Sequence, residues 1–190
     1  MVKLVTQNAE DVAKKAPLGE PARKLLRAGL TVEQYLELLT TAEQFADAVQ
    51  FLAQALPKRE AVWWACLCVR NALGAEPKPA ALTALQAAEK WVADPVEANR
   101  QAALPAAEQA GYGTPAGGAA AAAFWSAGSL APANLPAVPP PVALTGSGVA
   151  GAVLLAVVQG DPADATPTTR QFLALGIEVG RGLKPWFVVK

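Results

Sequence analysis

Two cysteines, two arginines flanking a tryptophan, a glycine triplet and a few scattered carboxylates are the residues whose types could do chemistry or grip a ligand. Cys66 and Cys68 stand two apart in a helical pattern, where side chains diverge by about 200°, so they cannot bridge each other. The sequence holds two cysteines and no histidine. A zinc site therefore lacks ligands, and the pair reads as two reduced, buried thiols in a cytoplasmic chain. The missing histidine also removes the usual general base and the near-neutral pH switch. Apolar surroundings should raise the Cys66 pKa and blunt it as a nucleophile. Glu60, Asp94, Glu97, Asp161 and Asp164 each have a simpler task as a helix cap, a first-turn dipole partner or a solvated loop charge. With no G-x-S-x-G, phosphate loop or metal-ligand cluster in the sequence, no catalytic, cofactor-binding or metal residue is assigned.

The glycine triplet is "GSGVAG", Gly146 to Gly151, which has the spacing of a dinucleotide fingerprint. That motif needs a strand before it. Pro139, Pro140 and Pro141 leave no room for one, so the glycines read as helix-packing positions. Ser147 with Gly151, Gly148 with Ala152, and Gly176 with Gly180 are small residues four apart. This spacing lets helix backbones approach closely and predicts tight packing of the last two helices on each other.

The segment "LPKREAVWWACLCVRNAL", residues 56–73, carries the strongest binding candidate. On a helical wheel Val62, Ala65, Cys66, Val69 and Leu73 form the main apolar face, and Arg59, Trp63 and Arg70 gather into a stripe beside it. Two readings stand: a central core helix whose arginines stack on Trp63 or pair with carboxylates, or a partner-binding surface, since Trp and Arg are enriched at interface hot spots.

The elements that must position these residues are helices. Alanine makes up roughly a fifth of the 190 residues, against under a tenth in typical usage, and it loses least on entering a helix. Thr31 with Gln34 and Thr41 with Gln44 have capping-box spacing, and Asp94-Pro95, Thr114-Pro115 and Thr166-Pro167 have the N-cap then proline signature. These marks predict helices near 8–15, 21–28, 32–39, 42–56, 58–73, 79–93, 95–110, 115–126, 145–159 and 167–183. The fold class is all-α, a compact multi-helix bundle of about eight to ten short helices. Only residues 2–5 ("VKLV") and 186–190 ("WFVVK") read as extended, and they could pair with each other or with a partner's sheet edge.

No Asp, Glu, Lys or Arg occurs between Glu108 and Asp161, so this run should be buried or bound. Within it, "APANLPAVPPP" (residues 131–141) must be an extended connector laid across the helices. One helical domain over 1–190 is expected; the alternative divides the chain at the connector into 1–128 and 142–190. Residues 142–158 are uncharged but too short and glycine-diluted for a stable membrane span. Sixteen basic and sixteen acidic residues balance, which removes the field that would attract nucleic acid.

Residues 56–73, with "AAFWSAGSLAP" (122–132) and "LPAVPPPVALTGSGVAGAVLLA" (135–156), resemble an uncharacterised bacterial all-helical family whose genes are associated with type VI secretion clusters. The resemblance implies a setting and no activity. Together these features point to a non-enzymatic interaction protein, an adaptor or accessory component of a bacterial secretion or envelope assembly, with Arg59, Trp63 and Arg70 as the partner-binding candidates. The alternative is a binder of a small apolar ligand or lipid in a pocket lined by Trp63, Trp64, Phe124 and Trp125.

Overall fold

Helix punctuation in the sequence converts into ten α-helices in the computed structural model, which describes residues 8–132 and 134–182. They are α1 (Ala9–Ala13), α2 (Glu20–Leu25), α3 (Val32–Thr41), α4 (Phe45–Ala55), α5 (Lys58–Ala72), α6 (Pro79–Ala93), α7 (Glu97–Ala110), α8 (Pro115–Phe124), α9 (Leu144–Val158) and α10 (Ala165–Gly180). The architecture is all-α. Among the described residues there is no strand, only a single antiparallel bridge between Asn8 and Thr31. The extended segments expected at 2–5 and 186–190 lie outside the described residues.

Two predicted starts form as expected. Thr31 accepts from the Gln34 N–H while the Gln34 side chain accepts from the Thr31 N–H, a complete capping box. Thr114 accepts from the Gly117 N–H ahead of Pro115. Three others differ. Thr41 closes α3 rather than opening α4: Glu43 takes φ 57°, Gln44 N–H donates to the Leu39 carbonyl and Glu43 N–H to Thr40. This is a Schellman ending, and its left-handed residue breaks the helix before Gln44 can serve as a box partner. Asp94 closes α6, its carbonyl taken by the Asn99 amide at 2.7 Å, so α7 begins later, at Glu97. At the last helix, Asp161 rather than Thr166 supplies the cap oxygen, to the Ala163 N–H, and a 3-10 turn (Pro162–Asp164) runs into α10.

α8 occupies the centre. Its sequence, PAGGAAAAAF, has no charge and no side chain larger than alanine between Pro115 and Phe124, so α5, α6, α7 and α9 all reach it and every one of its residues is buried. α9, equally uncharged, packs on α4, α5 and α8, while α10 lies against α4, α5 and α9. Helices α1 and α3 pack beside α4, and α2 packs on α3. The close approaches predicted for the last two helices fall elsewhere: a Cβ on Gly148 would meet the Trp125 ring and one on Gly118 would meet Ala152, so these seat α9 on α8. Gly176 backs onto Leu52 and the Trp64 ring, seating α10 on α4 and α5. The backbones close up where a glycine meets a ring or a large side chain, as Gly148 and Gly176 do, and also where it meets an alanine, as Gly118 meets Ala152. Among the described residues no helix is long and apolar enough to cross a membrane.

Candidate interaction site

The Arg59, Trp63 and Arg70 stripe lies along the contact between α5 and α6. Arg59 donates from Nε to the Val92 carbonyl at 2.6 Å and from Nη2 to Ala93 at 3.0 Å, which satisfies the free carbonyl end of α6. Arg70 grips the Glu89 carboxylate with two bonds, 2.9 and 2.6 Å long. That carboxylate raises the Arg70 pKa further. Trp63 is buried between them in sequence. Arg59 and Arg70 thus fasten α5 to α6, and the partner-carboxylate half of the core reading describes Arg70.

Trp64 is enclosed: its indole N–H donates to the Phe172 carbonyl at 2.7 Å, joining α5 to α10. Trp63, Trp64 and Phe124 belong to the core, with Trp125 half-buried at its edge. Cys66 and Cys68 are free, buried thiols whose pKa values burial pushes up, Cys66 also feeling the Glu89 charge. Gly146 to Gly151 lie inside α9, not on a strand-to-helix turn, and Gly146 gives its space to the Gln54 amide. Among the described residues, no group of three or more Cys, Asp or Glu side chains is placed to hold a metal ion.

The most constructed surface feature is the segment that leaves α8. Three donors from three helices converge on its last carbonyls, where the helix dipole concentrates negative charge. Lys58 Nζ of α5 donates to the Ser126 carbonyl at 2.6 Å, Thr145 Oγ1 of α9 to Trp125 at 2.9 Å, and Arg100 Nη1 of α7 to Phe124 at 2.5 Å. Arg100 is 2 % exposed, lies 4.7 Å over the Phe124 ring, and reaches on to the Ser129 carbonyl at 3.4 Å. Its charge is answered by Glu97 through two bonds of 2.7 Å. The Arg100 guanidinium, with the Gln101 amide, holds the Glu97 carboxyl down to about 2. Gly128, at φ 65°, lies so close that a Cβ would come within 2.6 Å of this guanidinium.

From that root the chain folds back on itself. Ser129 Oγ accepts from the N–H groups of Ala131 and Val138, both at 3.0 Å, and Leu130 N–H donates to the Val138 carbonyl at 2.8 Å. The far end is tied down where Gln54 donates to the Ala143 carbonyl and Leu144 N–H to Pro141. What this framework displays is apolar. Leu135, Val138 and Val142 are 55 %, 50 % and 71 % exposed, and Pro132, Pro136, Pro139 and Pro141 are exposed around them. Instead of lying sealed against the helices as an uncharged run should, the proline-rich connector stands in solvent. Nearby on the surface, Tyr112 stacks on Trp125 at 6.2 Å between ring centroids.

Arg100, Lys58, Thr145 and Ser129 are residues that the sequence alone does not single out. Arg100 has one signal, being the last basic residue before Arg170, so any cation serving the intervening carbonyls must come from outside that run.

The chain belongs to a family of unknown function, DUF6931, which matches residues 35–180 and so spans α5, α8, the loop and α9. No curated protein and no solved structure matches it.

Proposed function

We propose that this protein is a non-enzymatic interaction protein, an adaptor or accessory component of a bacterial secretion or envelope assembly, and that it docks on a protein partner through the proline-rich loop at residues 134–142. The observation that carries this reading is the contrast between root and tip. A buried arginine, a lysine and two hydroxyl side chains fix the root, yet the tip exposes leucine, valine and proline with no charge among them. Apolar groups carried on a backbone that is tied at Val138, Pro141 and Ala143 lose less entropy on binding than those of a free chain, and burying them against a partner is favourable at about 25 cal/mol per Å². The secretion setting rests on the resemblance of residues 56–73, 122–132 and 135–156.

The test uses the full chain, tagged and purified with its partner from the native bacterium. Changing Leu135→Asp together with Val138→Asp should abolish recovery of the partner while the helical circular dichroism stays unchanged. If the double variant keeps the partner and Arg70→Ala loses it with the fold intact, docking belongs to the α5–α6 stripe instead.

A further inference from the structure

The loop is more than an apolar protrusion, because its backbone is restricted before any partner arrives. Proline fixes its own φ near −65°, and a residue that precedes proline is kept out of the helical region. Val138, Pro139 and Pro140 each precede a proline, and residues 136–141 adopt neither helix nor strand. Both restrictions point to the same basin, polyproline II, a helix with three residues per turn and no internal hydrogen bonds. At that repeat Pro136 and Pro139 share one edge, while Leu135, Val138 and Pro141 share the next; all five side chains are exposed. Pro140, which falls on the remaining edge, is the one proline of the segment that is partly covered.

The chemistry offered by these two edges is narrow. Four of the six residues at 136–141 are prolines without an N–H, so the stretch presents carbonyl acceptors and flat pyrrolidine rings. The charge-free run extends well beyond the loop on both sides, leaving no cation or carboxylate on the segment for a partner to pair with. A sheet edge needs alternating donors and acceptors, which prolines cannot supply. Ring-on-ring packing with a few donors aimed at carbonyls remains, and that is the recognition mode of aromatic-lined grooves.

We infer that the loop is read as a preformed polyproline II segment by an uncharged, aromatic-lined groove on the partner protein, with Pro136 and Pro139 seated between rings and Leu135 and Val138 beside them. This inference rests on the loop being the docking element. Val138 has its N–H and carbonyl tied to Ser129 and Leu130, which sets the segment's rotation relative to the body and therefore the edge that faces out.

The experiment measures affinity of the purified partner for the immobilised full chain by biolayer interferometry, with decaproline as a competing probe and a glycine-serine decapeptide as its control. Pro136→Ala with Pro139→Ala keeps the surface apolar but releases the backbone and removes both rings; affinity should fall about tenfold or more. Decaproline should displace the partner and the control peptide should not. If the Leu135→Asp, Val138→Asp variant loses the partner while the double proline variant binds as the parent does and decaproline is inert, the loop docks without polyproline recognition and the inference is overturned. If the aspartate variant binds normally, the docking reading itself falls.

Discussion

Helix α8 and the loop that follows it are drawn from one uncharged stretch of sequence, and they end in opposite environments. α8 is buried at every position; the loop exposes four prolines, a leucine and two valines. Lack of charge permits burial but does not compel it. What separates the two is how each handles its backbone. The alanines and glycines of α8 satisfy their own N–H and carbonyl groups within the helix, so the segment can be enclosed on all sides. Of residues 136–140 only Val138 has a backbone donor for its carbonyl, the Leu130 N–H, and enclosing the other four carbonyls against apolar neighbours would leave them unpaired. On the surface those four carbonyls are open to water, and the exposed apolar side chains are carried out with them.

The largest test of this contrast places the same charge in both regions. Ala121→Asp puts a carboxylate into the fully buried centre of α8, with α5, α6, α7 and α9 around that helix. The expected cost is about 4 kcal/mol or more, enough to unfold most of the chain. Val138→Asp in the loop should cost under about 0.5 kcal/mol in the same urea titration. Equal losses would break the comparison.

A smaller effect is expected where the two regions join. Arg100→Met leaves the Phe124 and Ser129 carbonyls without their charged donor and Glu97 without its partner. Because Glu97 is 62 % exposed, its stranded charge remains solvated, and the loss should be about 2 kcal/mol, from the buried bonds rather than the ion pair. Exchange of the Leu130 and Val138 amides should speed up while α6 amides keep their protection. Uniform acceleration across the helices would mean that Arg100 supports the core as a whole.

The mildest perturbation is acid. The Glu97 carboxyl is held at about 2 in the folded chain against an ordinary 4.5, so its contribution is complete above 4.5 and fades as pH falls through about 2. Arg100 Nε–H chemical shifts followed by NMR should move in that window, with little change in overall stability because Glu97 faces solvent. A transition near the ordinary carboxylate value would show that the pair does not form.

Much of the scaffold was legible in the sequence. Helices predicted at 58–73 and 79–93 form as Lys58–Ala72 and Pro79–Ala93, since apolar periodicity and proline starts are local signals. The misplaced starts at Thr41, Asp94 and Thr166 share a cause: each residue has a plausible local capping partner, but a neighbouring turn claims the backbone first. The stripe of Arg59, Trp63 and Arg70 was legible as a stripe, but Val92, Ala93 and Glu89, which take its donors, lie one helix away. The root of the loop was hidden more deeply. Arg100, Lys58 and Thr145 meet only because three helices converge on the end of α8, and no spacing in the chain records that meeting.

Hydroxyl-radical footprinting of the full chain, alone and with its partner bound, tests the docking role of the loop most directly, because it reads leucine, valine and proline side chains where amide exchange is blind to proline. Protection of Leu135, Pro136, Val138 and Pro139, with the exposed edge at Arg70 labelled as in the free protein, is the predicted result. Unchanged labelling of the loop beside protection along α5 and α6 would contradict it.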